Sequence, residues 1–408
     1  MVCECRLCHG RSLEQMVDFG ARPIAHRILA DTNEEETEFE LALHLCPDCG
    51  LIQVSQPIPP ELLYKGFNYN FSSWKPEPHM QAELATIMAH GPYRSIFEIG
   101  CNDGRFLSEV LTLAGCTGMG VEPNPVPASV ARDRRLTIFG SWLTPKVCAE
   151  AVAANGGRFD LVLSRQVIEH VVNLDNFFAC IDALLSEDGR LFLDMPDFEP
   201  ALRQADCSAV WEEHVSYFTT PVLNDLLQRH GFRIARSDWY DFSGGCLAVL
   251  ARRAKPQEKM PAERRSSSVG EIIALARQYD ERLRAYQREL RAALDNARAR
   301  GAHIVIYGVG VRGCCLLNGA RMGDRIDFAV DDQPDRQGKF MPGSRLSIRP
   351  PSILSESAAP LVCLLAVNNE NEQKVIENLS RLVERPVSFL TLCSPKDIGA
   401  ALAAFRIP

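Results

Sequence analysis

The chain has 408 residues, 46% of them hydrophobic and 24% charged, so it exceeds what one hydrophobic core normally supports and two or three domains are expected. Its net charge of −8 argues against a nucleic-acid partner, which needs a basic face, and the Arg residues between Arg264 and Arg300 are interspersed with Glu and Asp as on a solvated helix. With no apolar run of about 18 residues and no apolar signal region in MVCECRLCHG, a cytoplasmic enzyme without membrane contact is expected.

In chain order, residues 1–72 read as short strands and turns that carry two CxxC pairs, Cys5 with Cys8 and Cys46 with Cys49, separated by 37 residues. Two such knuckles bring four thiolates around one tetrahedral ion, the geometry of a structural Zn2+ site with no position open for chemistry. Neither pair follows a strand and opens a helix, as a redox CxxC does, and Cys3 and His9 are the nearby alternative ligands. The remaining cysteines are scattered, as expected of reduced, mostly buried thiols.

Residues 73–253 change pattern. Apolar runs of strand length (SIFEIG, GMGVEP, FDLVLS, RLFLDMP, LAVLARR) alternate with helical stretches, which predicts a parallel sheet with crossover helices. The first run ends in Glu98-x-Gly100-x-Asn102-x-Gly104 before a helix predicted to begin near Arg105. Glycines there let the backbone approach a ligand, with free helix amides behind it. The dinucleotide spacing G-x-G-x-x-G is absent; E-x-G-x-x-x-G matches instead the first motif of class I methyltransferases, whose loop receives the amino-acid end of S-adenosylmethionine. Glu122, 18 residues past Gly104, ends the next strand, where a carboxylate can accept both ribose hydroxyl protons. The segment Asp160–His170 ends in polar residues at the sheet edge that carries active sites in such folds.

Residues 254–300 read as a polar linker followed by a helix from about Val269 to Arg300, with Ile272, Ile273, Leu275, Leu283, Leu290 and Leu294 at helical spacing and Gly301 as its stop. Residues 301–408 return to alternating strands and helices (HIVIYG, IDFAVDD, PLVCLLAV, SFLTL). Here Gly308, Gly310 and Gly313 satisfy G-x-G-x-x-G, with Asp331 18 residues further on. Alone this suggests a nicotinamide cofactor, although a helix N-terminus favours any anion.

With CxxC…CxxC, EIGCNDG, VEPNP, EEHVSYFT and PGSRLSI in this order, the chain resembles the three-domain, zinc-containing sugar C-methyltransferases, which methylate a carbon next to the ketone of a nucleotide-linked 4-keto-6-deoxysugar. The resemblance spans nearly the whole length. It implies an α/β architecture in which a class I methyltransferase (Rossmann-like) domain is flanked by a small N-terminal zinc module and a C-terminal degenerate Rossmann-like domain. It also implies S-adenosylmethionine as cofactor, Glu213 and His214 at the substrate with His170 facing them, and Tyr69, in YNFSS, in the segment that enters the cleft. The C-terminal glycine loop, with Gly308, Gly310 and Arg312, is then a contact for the nucleotide diphosphate, and Asp331 and Asp332 are either ribose readers or turn residues.

The chemistry agrees with these residues, since making a carbon nucleophile requires a base for a proton alpha to a carbonyl and a donor for the enolate oxygen. Two departures stand out: Trp211 occupies a position where the family tends to have Tyr, and Trp cannot act as an acid or base, while Ser243-Gly-Gly-Cys246 replaces HGGS. Base chemistry then falls to His214 or His170. The competing functions are O- or N-methylation of another small molecule, with Trp211 stacking on the acceptor, and a non-catalytic protein that binds S-adenosylmethionine or a nucleotide sugar. A monomer is expected.

Overall fold

In the computed structural model, residues 4–63, 77–255 and 267–407 are described. Sixteen strands among them make three sheets. Strands β1 (Glu14–Pro23), β2 (Glu38–Leu45) and β3 (Ile52–Val54) form an antiparallel N-terminal sheet. The central sheet is built from β4 (Ser95–Ile99), β5 (Thr117–Val121), β6 (Thr137–Phe139), β7 (Phe159–Arg165) and β8 (Leu185–Pro196). Between them and the next sheet along the chain come β9 (Ser216–Tyr217), β10 (Phe232–Tyr240) and β11 (Cys246–Arg253). The C-terminal sheet holds β12 (His303–Tyr307), β13 (Phe328–Val330), β14 (Ile348–Arg349), β15 (Leu361–Leu365) and β16 (Val387–Thr391).

The central sheet runs β10-β11-β8-β7-β4-β5-β6. Its first five strands in sequence are parallel, and β11 is antiparallel to β8. Every residue of β4 is buried, the mark of a parallel strand covered by helices on both faces. The chain passes from β4 to β5 and β6, then crosses back to β7, so the crevice at the carboxyl ends of β4 and β7 is the topological switch point where such sheets bind ligands. The C-terminal sheet, order β14-β13-β12-β15-β16 and wholly parallel, repeats this logic on a smaller scale.

Strand β9 was not legible in the sequence. It lies between β8 and β10 of the central sheet, yet it pairs with β3 of the N-terminal sheet, Ile52 opposite Tyr217 and Gln53 opposite Ser216. The zinc module is equally joined to the centre through its interior: Cys5, Leu7, Cys46, Cys49 and Leu51 share one apolar cluster with Val222, Leu223 and Leu226 of the helix Thr220–Arg229.

The long helix spans Val269–Ala299 and opens with a capping box between Ser268 and Glu271. Its buried residues Ile272, Ala276, Tyr279, Leu283, Tyr286, Leu290, Leu294 and Ala297 are spaced three or four apart, a single stripe on a 3.6-residue period. That stripe belongs to a cluster containing both Leu43 of the N-terminal sheet and Ile304 of the C-terminal sheet. The Arg-rich outer face is solvated as the sequence indicates, but the helix as a whole is a strut that all the modules share.

The C-terminal domain is latched to the centre by buried charge. Asp206 accepts from the Ser208 amide (2.7 Å) and from the Ser394 amide (2.7 Å), and lies 3.8 Å from the guanidinium of Arg312. Asp206 is 1% exposed and Arg312 6%, so removing the acid leaves a buried cation uncompensated, which costs about 3–5 kcal/mol. Asp206→Ala should lower unfolding free energy by about 3 kcal/mol in urea titration, and Asp206→Asn, which keeps an acceptor, by less.

Candidate active site

The four cysteines of the N-terminal module converge. Their sulfurs lie within 4.8 Å of one another, with Cys5 Sγ 3.5 Å from Cys49 Sγ and Cys8 Sγ 3.5 Å from Cys46 Sγ. Each knuckle is closed by its backbone, the His9 amide donating to the Cys5 carbonyl and the Gly50 amide to the Cys46 carbonyl. His9 is turned away from the sulfurs: its ring nitrogens lie 3.1 Å from Glu4 and 3.1 Å from Asp175 at the surface. Cys3 lies outside the described residues. The all-sulfur, closed set fits a structural zinc ion, and none of the described cysteines is in a disulfide.

At the switch point, β4 delivers Glu98 and the loop behind it. Gly100 (φ 70°), Asn102 (φ 48°) and Gly104 (φ 72°) all take left-handed conformations. At Gly104, the N-cap of the helix Arg105–Ala114, a Cβ would come within 2.3 Å of Leu136 and 3.0 Å of Ala131, so glycine is required by backbone and space alike. Glu122 accepts from the Asn102 amide (3.0 Å) and the Asn124 amide (2.8 Å), one on each oxygen. These two bonds hold the carboxylate plane at the strand tip and leave a second lone pair on each oxygen; burial nevertheless raises its pKa. Glu98 is buried, its Oε2 has no hydrogen-bond partner among the described residues, and desolvation lifts its pKa to about 8. An unpartnered acid beneath a glycine loop, with a second acid at the next strand tip, fits the ammonium and ribose ends of S-adenosylmethionine.

A cavity opens between the central sheet and the C-terminal domain, its wall including Gln166, Glu169, Trp211, His214, Tyr217 and Arg312. His214 is buried and its ring centroid stands 4.9 Å from that of His170 and 4.7 Å from that of Trp211. His170 Nδ1 lies 3.0 Å from the Glu213 carbonyl oxygen, so Nδ1 carries the proton and Nε2 is left as an acceptor. Desolvation drives both histidines toward the neutral form, His170 to a pKa of about 4 and His214 well below its ordinary value, where His170 and Arg312 add to the effect.

The segment that carries His214 is pinned from three sides. Its lead residue Trp211 donates through Nε1 to the Ser208 carbonyl and through its amide to the Tyr217 hydroxyl, which in turn donates to the Trp211 carbonyl. Glu212 accepts from the Ala25 amide of the N-terminal module and faces Cys315 Sγ of the C-terminal domain. Val215 donates to the Glu169 carbonyl and accepts from the Val54 amide.

The structure thus places His214 and Trp211 on the cavity wall, with His170 edge-on to His214 and against the Glu213 carbonyl, and Glu98, Gly100, Asn102, Gly104 and Glu122 at and beside the loop that follows β4; Tyr69 lies outside the described residues. Gly308 and Gly310 do close a glycine loop at the start of the helix Val311–Ala320, but they are not on the cavity wall. Arg312 is on that wall, its guanidinium donating to Ser208 Oγ (3.2 Å) and to the Ser243 carbonyl. Asp331 follows β13, accepting from the amides of Val309 and Gln333 and paired with Arg336. Sequence reasoning missed Glu169, masked beside its histidine neighbour. It also missed Asp197, on the cavity wall, which desolvation lifts to about 6.

This switch-point crevice, its glycine loop and its pair of acids define a class I methyltransferase, and the chain is an S-adenosylmethionine-dependent enzyme of that class, with structural zinc. Residues 74–237 match the family described as a methyltransferase domain, residues 5–64 a zinc binding domain, and residues 241–393 a C-methyltransferase C-terminal domain. In all three modules the chain is a homologue of the C-methyltransferase NovU of Streptomyces niveus, 29% identical over 404 residues that cover 93% of this chain and 94% of that protein. A ubiquinone biosynthesis O-methyltransferase of Methylobacterium nodulans is 35% identical over 98 residues, 24% of this chain and 39% of that protein. Among solved structures, 1,6-didemethyltoxoflavin-N1-methyltransferase of Burkholderia thailandensis aligns over 52% of this chain and 97% of its own, at 20% identity and a TM-score of 0.37.

Two outcomes follow from this geometry. Cys46→Ser should lower the zinc content measured by mass spectrometry from one ion per chain and lower the thermal unfolding temperature by several degrees, because metal binding is folding free energy in such modules. Glu122→Ala should weaken S-adenosylhomocysteine binding in calorimetry by about 10- to 100-fold, the loss of two charge-assisted hydrogen bonds, without altering the zinc content.

Proposed function

We propose that the chain methylates a carbon alpha to the ketone of a nucleotide-linked keto-deoxysugar, with His214 as the base. The observation that carries this reading is the pairing of buried His214, on the cavity wall, with half-buried His170 edge-on to it, both held toward the neutral form. The likeness to a C-methyltransferase along nearly the whole chain supports it. S-adenosylmethionine, when bound, supplies an electrophilic methyl group.

The chain's own residues do the rest. Neutral His214 is in the protonation state a base needs, and its low proton affinity in the resting cavity rises once negative charge develops on the acceptor. His170, oriented by the Glu213 carbonyl, keeps an acceptor nitrogen toward the same space. Trp211 supplies an apolar face instead of an acid, its indole N–H already committed to Ser208, and Tyr217 is likewise committed through its hydroxyl. The wall contributed by the C-terminal domain excludes water from a carbanion-like intermediate. The loop Gly308–Gly310, with open space beside Gly310 and helix amides behind it, is the element we assign to the diphosphate.

Incubation with S-adenosylmethionine and dTDP-4-keto-6-deoxyglucose in deuterated water should give methyl incorporation on carbon and deuterium at the carbon next to the ketone, both read by NMR. His214→Ala should slow both by about 100- to 10,000-fold, the usual weight of a general base. Methyl transfer to oxygen or nitrogen with no exchange at carbon would replace this reading with O- or N-methylation.

A further inference from the structure

Glu169 is a buried carboxyl group without a hydrogen-bond partner among the described residues. It sits in the short turn of 3-10 helix Ile168–His170 that follows β7, is 2% exposed, and neither of its carboxyl oxygens has a hydrogen-bond partner among the described residues. Its backbone is held firmly, the carbonyl accepting from the Val215 amide at 2.8 Å, so the unpaired side chain is not a loose end. It lies on the wall of the same cavity as His214, with His170 Nε2 3.9 Å from Oε1 and one ring nitrogen each of His170 and His214 within 4.8 Å of a carboxyl oxygen.

A buried acid with neither oxygen hydrogen-bonded carries an uncompensated desolvation cost in the free protein, which a ligand that completes it would relieve. The charged groups facing Glu169 decide which form it takes. Asp194 from β8 and Glu213 from the pinned segment are acids, and burial is the larger force; together they hold its pKa well above the carboxylate range. The two histidines beside it are neutral, so no cation offsets this. A carboxylic acid kept neutral in an apolar site can donate a hydrogen bond to a developing oxyanion.

We propose that Glu169 is a further catalytic residue, the neutral acid that hydrogen-bonds the acceptor's carbonyl oxygen while His214 removes the neighbouring proton. This rests on the reading given under Proposed function. As the C–H bond breaks, the proton passes to the imidazole of His214, the C–H pair forms the C=C bond, and the carbonyl pair moves onto oxygen, which takes the proton of Glu169. The enol carbon then attacks the methyl group, the C–S bond breaks with its pair going to sulfur, and the oxygen returns its proton to Glu169 as the carbonyl re-forms. The proton on His214 leaves to solvent, so that one C–H bond is exchanged for one C–C bond and one released proton. The acceptor class this site selects is therefore an enolisable ketone or aldehyde, not a hydroxyl or amine.

The test compares wild type, Glu169→Gln and Glu169→Ala with S-adenosylmethionine and dTDP-4-keto-6-deoxyglucose in deuterated water. Removing a donor to an oxyanion costs about 100- to 1,000-fold in kcat. Glu169→Ala should lose that much in both exchange and methyl transfer, while S-adenosylhomocysteine affinity stays unchanged; the isosteric Gln, which keeps an N–H donor, should recover at least about tenfold over Ala. An Ala variant within about threefold of wild type, or one whose losses track a loss of S-adenosylhomocysteine affinity, overturns the assignment. If wild type itself neither methylates nor exchanges this sugar, the substrate reading fails, and infrared difference spectroscopy still decides the state of Glu169. A protonated-carboxyl band present in wild type at neutral pH and missing from Glu169→Gln supports the neutral acid; its absence overturns it. A second tightly held metal ion that Glu169→Gln loses would also overturn it, making Glu169 a ligand with the two histidines.

Discussion

The constraint on which the rest of the structure depends is the satisfaction of the buried backbone from Trp211 to Tyr217. This segment carries the cavity histidine and is buried from Glu212 to Tyr217, so its amides and carbonyls need partners in the protein. It finds them in different modules: β3 across from β9, the Val54 amide on the Val215 carbonyl, the Glu169 carbonyl on the Val215 amide. The zinc module is structural in this specific sense. Its sheet completes the hydrogen bonding of a loop belonging to the central domain, and its metal knuckles pack on the helix that follows that loop.

The same crevice concentrates acid. Glu83 and Asp194, both essentially unexposed, surround Arg165, which pairs with Glu77 at 2.8 Å, with Glu83 at 3.0 Å and with Asp194 at 3.5 Å. Burial and mutual repulsion push the Glu83 pKa well up, whereas His79 and Arg165 pull that of Asp194 down. One guanidinium thus balances several carboxyls, while Glu98 nearby keeps an unpaired oxygen. An excess of negative potential at the switch point is complementary to a donor that brings a sulfonium and an ammonium, and preorganised charge of this kind needs no reorganisation when the ligand enters. The histidines lie on the opposite side of this balance, neutral because they are buried next to each other and near Arg312 rather than next to a free carboxylate.

Much of this was legible along the chain because it is written in local spacing. Cys5 to Cys8 and Cys46 to Cys49 converge as their intervals require. The run from Ser95 to Arg105 forms strand, left-handed loop and helix, since glycine at 104 suits both the positive φ and the packing against Ala131. The long helix begins at its capping box. What was not legible involves groups distant in sequence. Arg312 follows a glycine loop, and the fold ties its guanidinium to Ser208 and the Ser243 carbonyl, 104 and 69 residues away. Glu169 carries no local signal at all, because an unpaired carboxyl is defined by what fails to surround it.

The sequence by itself therefore determined the kind of layers, the metal knuckles and the glycine loop after β4, all set by periodicities and intervals of a few residues that backbone geometry converts directly into position. Only the tertiary structure decided that β9 would close the N-terminal sheet, that the Arg-rich helix would be a shared strut, and that two histidines and Glu169 would meet. Burial and partner choice depend on the whole packed assembly, and protonation follows burial, so neither can be read from residues in line.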